Sequence, residues 1–213
     1  MSPAVLMGLG ACLAVAASLP SAWTYPLRLL GVTAHELAHA AMAILTGGEV
    51  VELVVSWDES GHALTRGGVA WLVLNAGYLG ALGLGRGLVA LGEVVPRAAL
   101  AAVALGLLAA AWWSPWSLAK AVLAVAAGAS AWGVARVGRP VAGTIAQALG
   151  LFVACHAVGD AVSDFGRGDA ALLAARSGVP ASVWSLIWVT VGVCVLAGWA
   201  RSAHRHVRMG DAP

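Results

Sequence analysis

The sequence predicts an all-α polytopic membrane protein of about six or seven transmembrane helices, with a short β-hairpin between the second and the third. Three observations lead to this fold class. Only 10% of the 213 residues are charged, whereas soluble domains carry about 25% charged residues. Apolar runs of about 20 residues, the length that a helix needs to cross a bilayer core, recur along the chain. One interval between such runs is instead rich in β-branched residues, which favour strands.

Seven apolar runs are candidate membrane spans: Pro3–Leu19, Pro26–Leu45, Gly68–Leu91, Ala98–Trp113, Trp116–Val137, Pro140–Ala157 and Ser182–Ala200. The first run lacks the basic residues that open a secretory signal, so we interpret it as a retained helix. Together the runs predict one transmembrane domain over residues 1–213, which ends in a basic tail at 201–213 and crosses the cell membrane several times.

Charge and cysteine content exclude other classes. The net charge is +2, and the basic residues stand mostly at the ends of apolar runs, so no basic stripe predicts nucleic-acid binding. The three cysteines, Cys12, Cys155 and Cys194, lie far apart within apolar runs. They form neither a disulfide framework nor a CxxC metal motif, and we interpret them as small packing residues.

The interval after the second run, about residues 48–67, predicts the β-hairpin. Its arms are Glu49–Trp57 and His62–Arg66, and "DESG" between them is a turn signal. Because the edges of a hairpin would leave backbone groups unpaired in lipid, it must lie at the interface or in a wet, protein-lined cavity. It is either a plain surface loop or an exposed edge that can pair with an extended peptide.

The second run contains "TAHELAHA", in which His35, Glu36 and His39 stand among apolar residues. Residues four apart lie on one face of a helix, so both imidazoles can reach one ion. This HExxH pattern predicts two zinc ligands and a general base, Glu36, which activates the water bound to the ion. The alternative is a pair of helix histidines bonded to their neighbours, but a lone carboxylate in the membrane is costly.

A catalytic zinc ion usually takes three protein ligands, so one more is required. The other acids lie in the hairpin, in a short loop or at the end of the chain, which leaves the sixth run and the residues that follow it. There His156, Asp160 and Asp164 recur at four-residue spacing and therefore share a helix face. Of the two acids we predict Asp160 as the third ligand, with Asp164 as the alternative, because Asp160 lies deeper in the apolar span, where an unpaired acid is hardest to tolerate.

The remaining groups near that run receive supporting roles. If Asp160 is the ligand, Asp164 would orient a ligating histidine from outside the metal shell. His156 is a candidate donor to a developing oxyanion, with packing as its alternative. Asp169 opens "GDAALLAAR" and is interpreted as the N-cap of a helix rather than as a ligand.

These features together resemble the site-2 protease family of intramembrane zinc metalloproteases, in particular its small bacterial protease-like branch. The matching stretches are "HELAHA" with "LTGGEV", then "NAGYLG", then "GDAALLAARSGVPASVWSLIW". The resemblance implies one zinc ion per chain and cleavage of a peptide bond in or next to a membrane helix. It also implies that the hairpin presents the unwound strand of a membrane protein substrate. In the better-known members the third ligand stands in an Asp-Gly motif, whereas Ala161 follows Asp160 here.

The helix after the hairpin carries further candidates. Asn75 could bind the substrate backbone or the oxyanion, with helix packing as its alternative. Gly77, Gly80, Gly83 and Gly87 predict close approach of neighbouring helices. Polar groups that face inward from two helices predict a buried aqueous pocket, with the hairpin as its gate. The alternative function is a non-proteolytic metal-binding membrane protein, either an adaptor or chaperone or a transporter component.

Overall fold

A computed structural model describes residues 24–115 and 118–210, apart from the side chains of residues 118–123, 129, 133, 135 and 202–210. These residues form seven helices and one two-stranded sheet. In chain order they are α1 (Tyr25–Leu45), β1 (Glu49–Val55), β2 (Gly61–Arg66), α2 (Ala70–Val94), α3 (Pro96–Trp113), α4 (Leu118–Arg136), α5 (Arg139–Ser163), α6 (Gly168–Ser177) and α7 (Ala181–Gly210). The predicted span Pro3–Leu19 lies outside the described residues.

Proline and glycine set several of the helix ends. Pro26, Pro96 and Pro140 stand in the first turns of α1, α3 and α5, where a proline loses no intrahelical bond and its fixed φ suits the helix. The short helix α6 ends at Gly178, whose φ of 74° is the left-handed conformation of a helix C-cap. Helix boundaries in this chain therefore follow local sequence signals closely.

Four described helices, α2, α3, α5 and the Ala181–Arg201 part of α7, are long and apolar enough to cross a membrane. The helical, membrane-type architecture with one antiparallel hairpin is thus confirmed, whereas the total of six or seven spans stays a prediction. Helix α1 covers the predicted second span almost residue for residue. It is nevertheless outside this set of four, and it carries the HExxH motif.

The hairpin between α1 and α2 is confirmed with small changes at its ends. Strands β1 and β2 pair antiparallel from Glu49 with Arg66 to Val55 with Gly61, and the register shifts between Val50 and Glu52. Leu53 and Val55 are buried because one face of β1 packs into an apolar cluster formed with α1 and α3. That packing fixes the hairpin against the same helix that carries the histidines.

Helices α2 and α5 form the most extensive helix contact of the described chain. A Cβ atom added at Gly85 would lie 2.5 Å from the carbonyl oxygen of Gly150, and one added at Gly143 would lie 2.9 Å from that of Gly92. Because backbone makes both close approaches, glycine is required at residues 85 and 143, and also at 150, whose added Cβ would lie 2.5 Å from the carbonyl oxygen of Gly85. The two helices therefore form a tightly packed central pair.

The predicted role of the α2 glycines holds for two of the four. Added Cβ atoms at Gly77 and Gly80 would collide with α1, at the histidine rings and at Ala38 respectively. Added Cβ atoms at Gly83 and Gly87 would meet no atom within 4 Å among the described residues, so this part of the chain shows no close helix approach at them. The close contacts between α2 and α5 are made at other glycines, Gly85 with Gly150 and Gly92 with Gly143.

Candidate metal centre

The two histidines of α1 converge with one aspartate of α6. The Nε2 atoms of His35 and His39 lie 3.0 Å apart. Asp169 Oδ2 lies 3.2 Å from His35 Nε2 and 3.0 Å from His39 Nε2. Among the described residues this is the one group of three such side chains whose ligand atoms all lie within 4.8 Å of one another. Two members of this group thus come from the HExxH helix, and the third comes from α6, 130 residues after His39 in the chain.

The spacing suits a single metal ion. Zinc bonds of about 2.0–2.1 Å in a tetrahedral arrangement place neighbouring ligand atoms about 3.3 Å apart, close to the 3.0–3.2 Å separations observed. Tyr78 closes one side of the cluster, since its ring meets the His35 ring edge-on at 4.6 Å. The three donor groups, two imidazoles and one carboxylate, are of types that zinc favours.

The tautomer of His39 is fixed by a backbone group. His39 Nδ1 lies 2.6 Å from the carbonyl oxygen of Val73, which can only accept, so Nδ1 carries the proton. In the neutral ring Nε2 then presents a lone pair to Asp169 Oδ2, and two electron-pair donors 3.0 Å apart repel unless a cation or a proton lies between them. A histidine held in this way is typical of a metal ligand with a second hydrogen bond outside the shell.

Glycine at position 77 provides room for this cluster. A Cβ atom added there would lie 2.5 Å from His35 Cε1 and 2.5 Å from His39 Nε2. It would thus occupy space close to the point that a shared ion would take. The backbone of α2 approaches the imidazoles only because residue 77 has no side chain, and the residues present therefore fit a bound metal.

A sharp loop places Asp169 in the cluster. Helix α5 ends at Ser163, and Gly166 and Gly168 take φ values of 75° and 51°, in the region that glycine occupies readily. The loop returns the chain so that the first turn of α6 faces α1. Burial alone would raise the pKa of Asp169, but when protons rather than a cation lie between the carboxylate and the imidazoles, the hydrogen bonds from His35 and His39 outweigh burial and hold that pKa well below its usual range.

The acid that meets the two histidines is Asp169 and not Asp160, the predicted third ligand. Asp160 Oδ2 instead lies 2.7 Å from His156 Nδ1, an ion-pair distance within α5. The alternative, Asp164, accepts a hydrogen bond of 3.4 Å from the Tyr78 hydroxyl and lies 3.6 Å from Arg167. The N-cap interpretation of Asp169 is also wrong: the cap position is Arg167, and the Asp169 carboxylate faces the histidines.

Glu36 lies beside the cluster, as the motif predicts. Its side chain is 5% exposed and lines the same cavity as His35 and His39. The hairpin covers it, because a Cβ atom added at Gly61 would lie 2.7 Å from Glu36 Oε1. Glu36 makes no contact that assigns it to the metal ligands, so it remains available for proton transfer.

A cavity of about 700 Å³ contains these groups. Its walls come from the HExxH helix, the hairpin turn and β2, the start of α2, the end of α5 and the start of α6. Asp160 and Asp164 line it without joining the histidine pair. The predicted pocket and the position of the hairpin at its edge are therefore present.

Two further candidate residues are engaged elsewhere. Asn75 donates to the carbonyl oxygen of Trp71 and accepts a 2.8 Å hydrogen bond from Trp188 Nε1, so it joins α2 to α7. His156 packs on α1 at Gly31, where an added Cβ would lie 2.5 Å from its ring. Neither residue lines the cavity, and both sites agree with the packing alternative.

The fold and the site define a class: a helical membrane protein with a buried His-His-Asp cluster of metal-site geometry beside a glutamate. A family model described as Peptidase M50B-like matches residues 8–199, and the chain belongs to that family. This confirms the predicted relationship to the site-2 proteases. A search of curated proteins and a search of solved structures each found no match.

Proposed function

We propose that the protein is an intramembrane zinc metalloprotease that hydrolyses peptide bonds in or next to membrane helices. One observation carries the proposal: the HExxH histidines and Asp169 converge to 3.0–3.2 Å beside a buried glutamate in a cavity. Membership of a peptidase family and four apolar helices of membrane-spanning length support it.

Each group of the site has a distinct role in this proposal. His35, His39 and Asp169 hold one zinc ion per chain, which when bound lowers the pKa of a water molecule and polarises a carbonyl group. Glu36 takes a proton from the attacking water and returns it to the leaving amine. The carbonyl of Val73 keeps the His39 ring oriented through Nδ1.

The substrate is a membrane protein with a segment that can leave its helical conformation. A peptide bond inside a helix is shielded by its own turns, so the segment must unwind before Glu36 and a water molecule can reach it. The cavity of about 700 Å³ has room for a few residues of extended chain. We place the protein as a multi-pass component of the cell membrane, where such substrates lie.

The test is cleavage of fluorescence-quenched reporters by the purified full chain in detergent and in liposomes. Each reporter carries one transmembrane helix weakened by a central Gly-Pro pair, because proline and glycine favour local unwinding. We expect Glu36→Gln to keep its zinc but to lower kcat by about 10²–10⁴-fold, the usual contribution of a general base. Chelation followed by zinc addition should abolish and restore cleavage.

The same experiment separates the proposal from a non-proteolytic metal-binding role. An adaptor, a chaperone or a transporter component would bind zinc through the same three ligands but would cleave no reporter. Zinc content close to one ion per chain without any cleavage, or equal cleavage by the wild type and Glu36→Gln, would contradict the protease proposal.

A further inference from the structure

The hairpin turn lies along one face of α1, and that face contains Glu36. Gly61 contacts two residues of this face, since its added Cβ would lie 2.8 Å from Val32 Cγ1 and 2.7 Å from Glu36 Oε1. Arg28, Val32 and Glu36 are spaced by four residues and therefore follow one another on the helix surface. The backbone of the turn is thus the wall against which the glutamate side chain rests.

Arg28 fastens the turn at the start of the same face. Its Nε lies 2.7 Å from Glu59 Oε2 and its Nη2 lies 2.7 Å from Glu59 Oε1, a bidentate pair. Bidentate arginine–carboxylate pairs restrict geometry as well as adding attraction. Nη1 of the same guanidinium bonds Thr24 Oγ1 at 2.6 Å, which orients the arginine. The pair therefore sets how the turn lies along α1.

A second contact reinforces the first. The Tyr25 hydroxyl donates to the carbonyl oxygen of Trp57 at 2.7 Å, and the two rings are nearly parallel with centroids 6.4 Å apart. Trp57 and Glu59 thus both bond to the first turn of α1. The turn between them is anchored on each side of Asp58.

The turn itself has a conformation that needs such support. Glu59 has a φ of 67°, the only positive φ of a non-glycine residue in the described part of the chain. Side chains with a Cβ atom disfavour this region. Asp58 stabilises the same turn by accepting hydrogen bonds from the backbone N–H and the hydroxyl of Ser60. The ion pair with Arg28 is thus made by the residue with the least favourable backbone.

We propose that Arg28 and Glu59 are positioning residues for the reaction: their ion pair holds Gly61 against Glu36 and so fixes where the general base points. This inference rests on the proposed function. The group paired with both histidines is Asp169, and the contact that the pair supports is the one between Gly61 and Glu36, so the pair acts on the base and leaves metal binding unchanged. Misplacement of a reacting group by about 1 Å costs up to about 100-fold in rate.

The test is a charge exchange. We expect Arg28→Glu and Glu59→Arg each to lower kcat on the reporter helices by about 10- to 100-fold, with KM changed less than kcat and zinc content unchanged. The double variant restores the pair and should return kcat to within about threefold of the wild type. A merely structural role would not give rescue by exchange together with a selective loss of kcat.

The matched control is the ion pair at the other end of the hairpin. Arg66 Nη1 lies 2.9 Å from Glu49 Oε1, and both side chains are mostly exposed. Glu49→Arg should change kcat by less than about twofold, since exposed pairs contribute little. An effect of Glu49→Arg as large as that of Glu59→Arg would overturn the proposal, because it would mark a general effect of hairpin charge.

Hydrogen exchange of the backbone amides at 58–62 gives a readout that needs no turnover. Exchange should be slow in the wild type, fast in each single variant and slow again in the double variant. If the wild type cleaves but the single variants keep full kcat, the positioning role is wrong and the proposed function stands. If the wild type is inactive, the proposed function fails. Unchanged hydrogen exchange in the single variants would then also contradict the role of the Arg28–Glu59 ion pair in holding the turn.

Discussion

Helix α2 uses glycine for close contact at two places, and the two contacts differ in what lies opposite. At Gly77 the neighbours are the tips of the His35 and His39 side chains, whereas at Gly85 they are backbone atoms of α5. Side-chain tips can swing aside, but the backbone of a buried helix cannot. The first contact therefore controls the arrangement of a site, and the second controls whether the helices pack at all.

The same contrast extends to the surroundings. Around Gly77 lie the charged and polar groups of the cavity, including Glu36 and Asp169. Around Gly85 and Gly150 the neighbours include Ala154 and Leu88, with no ionisable group among the nearest atoms. One end of α2 thus forms part of a reactive site, while its middle belongs to a rigid apolar pair. Substitutions should separate metal binding from folding stability along this one helix.

The largest effect is expected at the cluster that faces the polar end of α2, from substitution of Asp169 in α6. Asp169→Ala removes one of three ligands, and we expect zinc affinity to fall by more than about 100-fold, with cleavage lost. Asp160→Ala is the matched control, because it removes an acid that lines the same cavity but lies against His156 and outside the cluster of His35 and His39. Metal titration by competition with a chelator dye measures both. Equal zinc loss in the two variants would contradict the assignment of Asp169.

The next effect is expected at Gly77 itself. In Gly77→Ala the imidazoles can move away from the added methyl group, so the fold should survive while the ligand geometry does not. We expect zinc affinity to fall by about 10- to 100-fold, as when groups that orient metal ligands are lost. Gly83→Ala, whose methyl group would meet none of the described residues, should bind zinc like the wild type. Unchanged affinity in Gly77→Ala would mean that the cluster lies further from α2.

Stability rather than metal binding should respond at Gly85. A methyl group there meets the Gly150 carbonyl and the Ala154 backbone nitrogen, and overpacking of this kind costs about 1–3 kcal/mol. We expect Gly85→Ala to lower the thermal midpoint in detergent while the folded fraction keeps its zinc affinity. Gly87→Ala, whose methyl group would meet no atom of the described chain within 4 Å, should keep or slightly raise the midpoint. An unchanged thermal midpoint in Gly85→Ala would show that α2 and α5 can move apart without loss of stability.

The smallest effect is expected from the bond between α2 and α7. Loss of the hydrogen bond from Trp188 Nε1 to Asn75 Oδ1 should cost about 1 kcal/mol of the free energy of unfolding. Asn75→Ala, Trp188→Phe and the double variant form a cycle that isolates this term. Asn75→Ala should leave zinc affinity unchanged. A selective fall in kcat at full stability would instead return Asn75 to its predicted role in binding substrate.

Much of the fold could be predicted because its signals are local. The helices that match apolar runs begin within two residues of them, although α5 and α7 continue beyond the ends of theirs, and the hairpin arms follow from β-branched residues around "DESG". His35, Glu36 and His39 are fixed by helix geometry alone. Asp169 could not be found in this way, because its position depends on a turn that brings α6 back to α1.

Asp160 is favoured over Asp164 because it lies deeper in the apolar span, whereas the acid beside the histidines is Asp169. The choice of Asp160 requires the ligand to lie on the long helix α5, whereas the Asp160 carboxylate lies against His156 one turn earlier, with Oδ2 2.7 Å from Nδ1. A useful signal was present in "FGRGD": two glycines two residues apart indicate a sharp return of the chain. Asp169 directly follows the second glycine, in the first turn of the next helix, and can therefore face an element that is distant in the sequence.

The bond from His39 to Val73 has a consequence for how the site can change. Its acceptor is a main-chain oxygen, so no exchange of the Val73 side chain can abolish it. The orientation of this imidazole therefore depends on the backbone position of α2 and not on which side chain residue 73 carries. Sequence drift around the cluster can alter its solvent access and its shape while the ring keeps presenting the same nitrogen.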